Sequence, residues 1–343
     1  MIKNKKYILS FLLFILLFLL TYFYIFRKYD FNLLIQILKE CNTTYILLAV
    51  LCMILYPVFE AIFIHMFSKS LGCNISFYKA LGYTFTEIYF SGITPSSTGG
   101  QPIQMLEMKK DKIPYYKSTT IVIINTIIYK LTIVFLLILS LIFYHKEIFD
   151  KFYIFKYLVL FGSIFNILFV LLLIALLYSK RAISFIKKII IYIINHISLV
   201  KNKEKHIENI SRTIDKYQNI SSDIKENKTL LVKSFIILLL QRLSILLVSY
   251  FVYKSFGLNK YSIFLIIAFQ VCIISASDFI PTPGGIMVTE GIIIAINKYL
   301  YTDFNDISAM ILQRSINFYL LMIIAFIFYI IFHYDKRRNT PKD

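Results

Sequence analysis

Long runs of apolar residues, separated by short polar segments, extend along nearly the whole chain. A helix needs about 20 mostly apolar residues to cross the hydrocarbon core of a bilayer. Each run of that length therefore predicts one membrane-spanning helix. These runs are Tyr7–Phe26, Thr44–Phe67, Ser118–Tyr144, Ile154–Tyr178, Ser234–Val252 and Ile307–Phe332.

Two further apolar segments, Phe77–Met105 and Tyr261–Leu300, are interrupted by glycine and proline. The first is broken at Gly92–Pro95 and again at Gly99–Pro102, which together form the first break, and the second is broken at Pro281–Gly285, the second break. Non-helical backbone at membrane depth carries unsatisfied amide groups, so it is tolerated only where it is buried in protein or lines a water-filled cavity. The two breaks therefore indicate where a polar site within the membrane would form.

The composition supports a membrane protein. Of the 343 residues, 58% are hydrophobic and only 16% are charged, whereas a soluble domain averages about 25% charged residues. The mean hydropathy is +0.72. These values exclude an ordinary cytosolic enzyme and a disordered chain. The sequence predicts an all-α fold, a polytopic helical membrane protein whose single integral membrane domain occupies residues 1–343.

The distribution of charge predicts the orientation of the spans. Lys and Arg number 37 against 19 Asp and Glu, a net charge of +18, and short loops rich in Lys and Arg stay on the cytoplasmic side. Such basic segments occur at Lys3–Lys6, at residues 109–117 and 179–233, and in the short tail 335–343. Both termini are therefore predicted to be cytoplasmic.

This orientation makes both broken segments re-entrant, or pairs of half-helices. Phe77–Met105 enters and leaves from the cytoplasm, and Tyr261–Leu300 enters and leaves from the outside. Transporter folds use such an inverted arrangement to build a binding site at the bilayer midplane.

The basic segment 179–233 contains Ile207, Ile210, Ile214 and Tyr217 at helical spacing. This spacing predicts an amphipathic cytoplasmic helix close to the membrane. Two interpretations stay open: the segment only fixes the topology, or it recruits anionic lipid headgroups.

The first break is rich in hydroxyl groups and glycine. Exposed backbone amides and hydroxyl donors in such a run can cup a phosphate or a carboxylate, although a simple helix-breaking turn would use similar residues. The candidate binding residues here are Thr94, Pro95, Ser96, Ser97, Thr98, Gly99, Gly100 and Gln101.

Asp278 and Glu290 bracket the second break, which contains Pro281, Pro283, Gly284 and Gly285. Acidic residues within an apolar segment normally face a cavity or a cationic partner. The candidate partners are Lys130, Arg242 and Arg314, and Glu60 and Glu87 are further acids within apolar segments. The alternative is that these charges form ion pairs that only hold the helices together.

No pattern of catalytic residues accompanies these charges. The sequence has no P-loop, no HExxH motif and no dinucleotide-binding fingerprint. The four Cys and five His are scattered, so we expect neither a metal site nor another cofactor. An ATP-driven pump is therefore not expected from this chain alone.

Several short stretches along the chain together form a characteristic pattern. They are Ser91–Pro102, Met108–Asp111, Gln241–Ser244, Phe256–Leu258, Pro281–Gly285 with Glu290 and Gly291, and Arg314–Tyr319. In this order they resemble the membrane domain of the lysylphosphatidylglycerol synthase/flippase family, and the resemblance covers nearly the whole chain. It adds Gln241, next to Arg242, to the candidate site.

The resemblance implies a function in the bacterial inner membrane. Full-length members join this membrane domain to a soluble domain that transfers lysine from tRNA to phosphatidylglycerol, and the membrane part is implicated in moving the product across the bilayer. This chain ends at Asp343, shortly after its last predicted span. We therefore expect the flippase-like domain alone, without the soluble aminoacyltransferase domain.

Three functions follow as expectations. The first is binding and translocation of an anionic or aminoacylated phospholipid, such as lysyl-phosphatidylglycerol. The second is the membrane half of a phosphatidylglycerol lysyltransferase, which needs a separate aminoacyltransferase protein as its partner. The third is a non-catalytic scaffold for envelope synthesis. All three place the chain beside membrane phospholipid, and none requires direct binding of nucleic acid.

Overall fold

The computed structural model describes residues 31–94, 98–149, 153–196, 203–278, 280, 288–301 and 305–338, and every element within them is helical. The helices are α1 (Phe31–Glu40), α2 (Thr43–Ser70), α3 (Phe77–Gly92), α4 (Gly100–Lys110), α5 (Tyr115–Phe149), α6 (Tyr153–Tyr178), α7 (Lys180–His196), α8 (Lys203–Glu226), α9 (Lys228–Ser255), α10 (Ile263–Ser277), α11 (Val288–Leu300), α12 (Asn305–Arg314) and α13 (Leu321–Arg338). A π-helical segment, Ser315–Leu320, joins α12 to α13.

Five helical stretches are long and apolar enough to cross a membrane: Thr43–Ser70, Tyr115–Phe149, Phe155–Leu177, Lys228–Ser255 and Asp306–Lys336. They correspond to five of the six predicted spans, and they confirm a polytopic helical membrane protein. The remaining predicted span, Tyr7–Phe26, lies outside the described residues.

Each broken segment folds as a helical hairpin. The first hairpin is α3 and α4, and its two ends meet where Lys79 Nζ lies 3.0 Å from the Asp111 carboxylate. The second hairpin is α10 and α11, and its ends meet where the Tyr261 hydroxyl donates to the carbonyl of Tyr299 at 3.2 Å. Each hairpin therefore enters and leaves on one side of the protein.

The two hairpins enter from opposite sides. Helices α2 and α9 run antiparallel, because the amide of Asn42 at the start of α2 donates to the carbonyl of Ser255 at the end of α9 at 2.8 Å. The first hairpin follows the end of α2, and the second follows the end of α9. We call the surface at the end of α2 the Asp111 face and the surface at the end of α9 the Ser255 face.

Other contacts agree with this assignment of faces. On the Asp111 face, Lys336 near the end of α13 lies 2.7 Å from the Asp111 carboxylate, and the Lys216 ammonium of α8 lies 5.5 Å from the Tyr116 ring centroid. The relative arrangement is thus the inverted one that the charge pattern predicts. Which face is cytoplasmic stays a prediction.

The two halves of the protein share a short sequence repeat that becomes visible once α2 and α9 are compared. Both helices have 28 residues and an asparagine N-cap, Asn42 in the first and Asn227 in the second. Each ends in the same pattern at the same spacing. The pattern is Lys69-Ser70-Leu71-Gly72-Cys73-Asn74 in the first half and Lys254-Ser255-Phe256-Gly257-Leu258-Asn259 in the second.

The repeated turn has a physical reason. Gly72 and Gly257 adopt φ values of 70° and 75°, a left-handed conformation that glycine reaches without the steric cost that other residues meet. The Ser76 and Ser262 hydroxyls then cap α3 and α10 by accepting from the amides of Lys79 and Leu265. Each half therefore leaves its long helix, turns and starts its hairpin in the same way.

Candidate functional site

A cavity of about 620 Å³ lies where the tips of the two hairpins approach each other. Gln241 and Arg242, midway along the 28-residue α9, line it, and so does Lys130 near the middle of α5. The cavity is therefore at the middle depth of the helix bundle. The hairpins contribute Glu87, Ser91, Gly92, Thr98, Gln101, Ser277, Asp278, Ile280 and Thr289 to its lining.

Three residues of the first break build the turn rather than the cavity wall. The Thr94 hydroxyl donates to the Phe90 carbonyl at 2.7 Å and accepts from the Gly99 amide at 2.9 Å. A Cβ on Gly100 would lie 2.1 Å from Ser91 Oγ, so no other residue fits there without a shift. Close packing thus explains why two glycines follow the hydroxyl-rich run.

Thr98 and Gln101 of the same break do line the cavity. The Gln101 amide donates to the Thr126 hydroxyl of α5 at 2.8 Å, which fixes the start of α4 against the spanning helix. Pro95, Ser96 and Ser97 lie outside the described residues, so a phosphate cradle formed by the whole run stays a prediction.

Asp278, at the tip of the second hairpin, has a cationic partner in α5. Lys130 Nζ lies 2.6 Å from the Asp278 carboxylate and donates to the Asn166 side-chain oxygen of α6 at 2.8 Å. The acid and its basic partner were both expected from the sequence, and both line the cavity. Pro281, Pro283, Gly284 and Gly285 lie outside the described residues.

Arg242 is the second cation at the cavity. Its side chain is buried, and its guanidinium carbon lies 4.0 Å from the Tyr129 ring centroid and 5.5 Å from the Tyr56 ring centroid. Within the described part of the chain, its Nε has no hydrogen-bond partner and no carboxylate lies within 4.0 Å of it. Aromatic faces stabilise a cation without neutralising it, so Arg242 brings a positive charge to the cavity.

Two carboxyl groups that the sequence analysis left outside the site also line the cavity. Glu60 is buried and accepts from the amides of Asn125 at 3.3 Å and Gln241 at 2.9 Å, and Glu87 accepts from the Ser91 hydroxyl at 2.7 Å. An acid within an apolar helix was the available signal. The sequence did not show that both side chains face the same space.

Glu290 and Arg314 pair with each other beside the cavity rather than in its lining. Arg314 Nε donates to the Glu290 carboxylate at 2.7 Å, and both side chains are buried. Arg314 directly precedes the π-helical segment, from which Asn317 and Phe318 reach the cavity. The pair therefore links the second hairpin to the π-helical segment and positions that segment beside the cavity.

The cavity approaches the lipid-facing surface at α6. Phe165 and Phe169 of this helix line the cavity with nearly parallel rings, 6.3 Å apart. Phe165 is also 43% exposed on the protein surface, so a single helix separates the cavity from the surrounding bilayer. Among the described residues, no group of three or more His, Cys, Asp or Glu is placed to hold a metal ion.

The described residues form a polytopic helical membrane protein with two opposed hairpins around a charged cavity at middle depth, an arrangement that transporter folds also use. Comparison with known proteins identifies the family. The family described as "Lysylphosphatidylglycerol synthase TM region" matches residues 7–325, and the chain belongs to this family. The resemblance found in the motifs is thereby confirmed.

One relative also matches over part of the chain. It is a "UPF0104 membrane protein" of Archaeoglobus fulgidus, 27% identical over 104 residues, which are 30% of this chain and 32% of the relative. The matched part spans about a third of the length of that relative.

Proposed function

We propose that this protein binds an anionic or aminoacylated phospholipid, such as lysyl-phosphatidylglycerol, and moves it between the leaflets of a bacterial inner membrane. The observation that carries the proposal is the cavity at middle depth, which has charges of both signs in its lining. A polar headgroup crosses hydrocarbon only at a high free-energy cost. A polar cavity halfway across lowers that barrier.

The lining suits a headgroup that itself has charges of both signs. Lysyl-phosphatidylglycerol contains one phosphate and two ammonium groups. Arg242, which has no carboxylate within ion-pair distance among the described residues, is the proposed contact for the phosphate. Glu60 and Glu87 are the proposed contacts for the ammonium groups, and Thr98 and Gln101 supply further hydrogen bonds.

The acyl chains need a different environment from the headgroup. Phe165 and Phe169 stand between the cavity and the bilayer, and most of the neighbouring α6 surface is apolar and exposed. The proposed path places the headgroup inside the cavity while the acyl chains stay in the lipid beside α6.

The test is reconstitution of the protein into liposomes that contain fluorescent phosphatidylglycerol or fluorescent lysyl-phosphatidylglycerol. Dithionite quenches the label in the outer leaflet, so the rate of further quenching measures exchange. Arg242→Gln and Glu87→Gln are expected to slow exchange at least about tenfold, because loss of about 1.4 kcal/mol from the stabilisation of the barrier state changes a rate tenfold. Glu208→Gln, on the exposed surface of α8, is the matched control.

Exchange no faster than in empty vesicles, by protein shown to be folded, would overturn the proposal. That result would favour the second candidate, the membrane half of a phosphatidylglycerol lysyltransferase, to which the word "synthase" in the family description points. This alternative predicts lysyl transfer only after a separate aminoacyltransferase protein is added. A non-catalytic scaffold predicts neither activity.

A further inference from the structure

The charged side chains that line the cavity do not balance each other. Among the described residues they are three acids and two bases: Glu60, Glu87, Asp278, Lys130 and Arg242. When all of them are ionised, the lining has one negative charge in excess. Residues 95–97, 279 and 281–287, in and beside the two breaks, contain no Asp, Glu, Lys, Arg or His. The predicted span Tyr7–Phe26 contains none either, so these residues leave the count unchanged.

An ion pair accounts for two of these charges. Lys130 Nζ lies 2.6 Å from the Asp278 carboxylate. Glu60, Glu87 and Arg242 remain, so one cation of the described lining stands against two carboxyl groups. An ionised carboxylate inside a membrane protein is costly without a counter-charge, and a bound proton removes that cost. One proton on the two glutamates would therefore make the lining neutral.

The hydrogen bonds of the two glutamates differ. Glu60 accepts from the amides of Asn125 and Gln241, and an amide N–H can only donate, so this arrangement suits an ionised carboxylate. Glu87 is bonded to the Ser91 hydroxyl at 2.7 Å. A hydroxyl both donates and accepts, so Ser91 can serve Glu87 with or without a proton. Glu87 is therefore the better place for an exchangeable proton.

The titratable groups that face Glu87 across the cavity come from several elements. They are Tyr56 and Glu60 of α2, Tyr129 and Lys130 of α5, Arg242 of α9 and Asp278 at the tip of the second hairpin. Tyrosine hydroxyls are neutral near pH 7. The described lining residues of α4, the π-helical segment and α13 are uncharged, and the pair of Glu290 and Arg314 beside the cavity is neutral in itself. The excess of one negative charge therefore belongs to Glu60 and Glu87.

Arg242 gives an independent sign that a ligand with a negative group enters the same space. Its side chain is 7% exposed, and its Nε has no hydrogen-bond partner among the described residues. A buried donor without a partner is costly. A ligand phosphate would satisfy this donor and would at the same time take the only counter-charge that the two glutamates have in the described lining.

We propose that Glu60 and Glu87 together hold one proton, and that a phospholipid with two ammonium groups displaces this proton when it binds. The inference rests on the proposed function, because it concerns the lipid that enters this cavity. The phosphate pairs with Arg242, each ammonium group pairs with one carboxylate, and the proton passes to bulk water. The charges of the lining and of the headgroup then balance again.

The charge count makes proton exchange depend on the headgroup. Lysyl-phosphatidylglycerol has a net charge of plus one and should release about one proton on binding. Phosphatidylethanolamine, with one phosphate and one ammonium group, should cause no net exchange. Phosphatidylglycerol has only the phosphate and should cause uptake of about one proton, because both carboxyl groups then need to be neutral.

The test is titration calorimetry of the full-length protein in detergent with each of the three lipids. Mes and Bis-Tris buffers at about pH 6, where both amino groups of the lysyl ester are protonated, differ in their enthalpy of ionisation. The dependence of the binding enthalpy on the buffer gives the number of protons exchanged. The affinity for lysyl-phosphatidylglycerol should also fall about tenfold for each pH unit of acidification, and the affinity for phosphatidylglycerol should rise.

Glu87→Gln removes the excess acid and should abolish proton release by lysyl-phosphatidylglycerol. The same variant should still take up about one proton with phosphatidylglycerol, because Glu60 is then the carboxyl group that becomes neutral. This uptake shows that the variant is folded and binds lipid. Glu208→Gln, on the exposed surface of α8, should exchange protons as the native protein does.

Binding enthalpies that are independent of the buffer for all three lipids would overturn the inference and leave the proposed function standing. Proton release that persists in Glu87→Gln would overturn it as well, because the proton would then come from another group. If none of the three lipids binds to folded protein, the proposed function fails and the inference fails with it.

Discussion

Gly162 sets how closely α6 approaches α10. A Cβ at this position would lie 1.9 Å from the Ser275 carbonyl oxygen, and backbone cannot move aside as a flexible side chain can. Lipid is as apolar as the helices themselves, so close packing of small residues is one of the forces that hold membrane helices together.

Gly162→Ala is therefore expected to separate α6 from α10 and to destabilise the protein by about 1–3 kcal/mol. Thermal unfolding in detergent measures the loss of stability. Gly291→Ala is the matched control, because nothing lies within 4 Å of a Cβ there and alanine is the better helix former. Equal loss of stability in the two variants would contradict the packing argument.

The buried pair of Glu290 and Arg314 gives a second prediction at this scale. Arg314→Met removes one partner and leaves the other charge buried, which costs about 3–5 kcal/mol. Adding Glu290→Gln should recover most of the stability, as measured by the same unfolding assay. A double variant as unstable as the single one would show that the pair does not act through charge compensation.

Single residues also show how far the sequence predicts the site. The rarity of charge in apolar segments predicted three candidate partners for the two acids, Lys130, Arg242 and Arg314, without assigning the pairs. The structure pairs Lys130 with Asp278 and Arg314 with Glu290. The same rule noted Glu60 and Glu87 but did not assign them to the site, because the direction in which a side chain points depends on the rotation of its helix. Thr94 was expected to bind ligand. In the structure its hydroxyl forms hydrogen bonds with the backbone of Phe90 and Gly99 in the same turn.

At the scale of elements, a polar cluster fastens the first hairpin to the last helix. The Asp111 carboxylate accepts from Lys336 at 2.7 Å, from Tyr83 at 2.7 Å and from Lys79 at 3.0 Å. Burial alone would raise the pKa of Asp111. The hydrogen bonds from Lys336, Tyr83 and Lys79 outweigh burial and lower that pKa below its ordinary value.

This lowered pKa predicts a pH dependence. A carboxyl group whose pKa is lower in the folded state stabilises the protein above its unfolded-state pKa, about 3.9 for Asp, and loses that contribution as the pH falls through the folded value. Asp111→Asn should therefore lower the thermal midpoint at pH 7, and the difference from the native protein should shrink below about pH 4. Asp223→Asn, at an exposed position, should show no such trend.

Helices and breaks were predictable as elements because they depend on local composition. The predicted Phe77–Met105 contains the break between α3 and α4, and Tyr261–Leu300 contains the break between α10 and α11. The π-helical segment Ser315–Leu320 was not predicted. It lies within a run whose apolar residues also suit an α-helix, so local composition carries no signal for it.

For the whole molecule, the opposed faces give a test of topology. Asn74 and Asn259 occupy equivalent, exposed positions of the repeat, one on each face. In a background in which the four native cysteines are replaced, Asn259→Cys should react with a membrane-impermeant maleimide on intact spheroplasts. Asn74→Cys should react only after permeabilisation, since the Asp111 face carries the basic segments that favour the cytoplasm.

Reversed labelling would invert the predicted orientation and leave the fold intact. Labelling of both positions from the outside would contradict the antiparallel packing of α2 and α9. Charge counting predicted the inverted arrangement of the hairpins. It did not predict the sequence repeat that α2 and α9 share. Outside the caps and turns, the residues of α2 and α9 have diverged too far for the repeat to be evident from composition.

Because of this divergence, the two halves of the protein contribute different charges to the cavity. When the two helices are aligned at their asparagine N-caps, Glu60 of α2 is equivalent to Ile245 of α9. In the same alignment, Arg242 of α9 is equivalent to Pro57 of α2. Lys130 and Asp278 form an ion pair. Among the described residues that line the cavity, the acids outside this pair, Glu60 and Glu87, lie in the first half, and the remaining cation, Arg242, lies in the second. A ligand that carries separated charges of its own should consequently be bound in one orientation rather than two, although α2 and α9 share the same caps and turns.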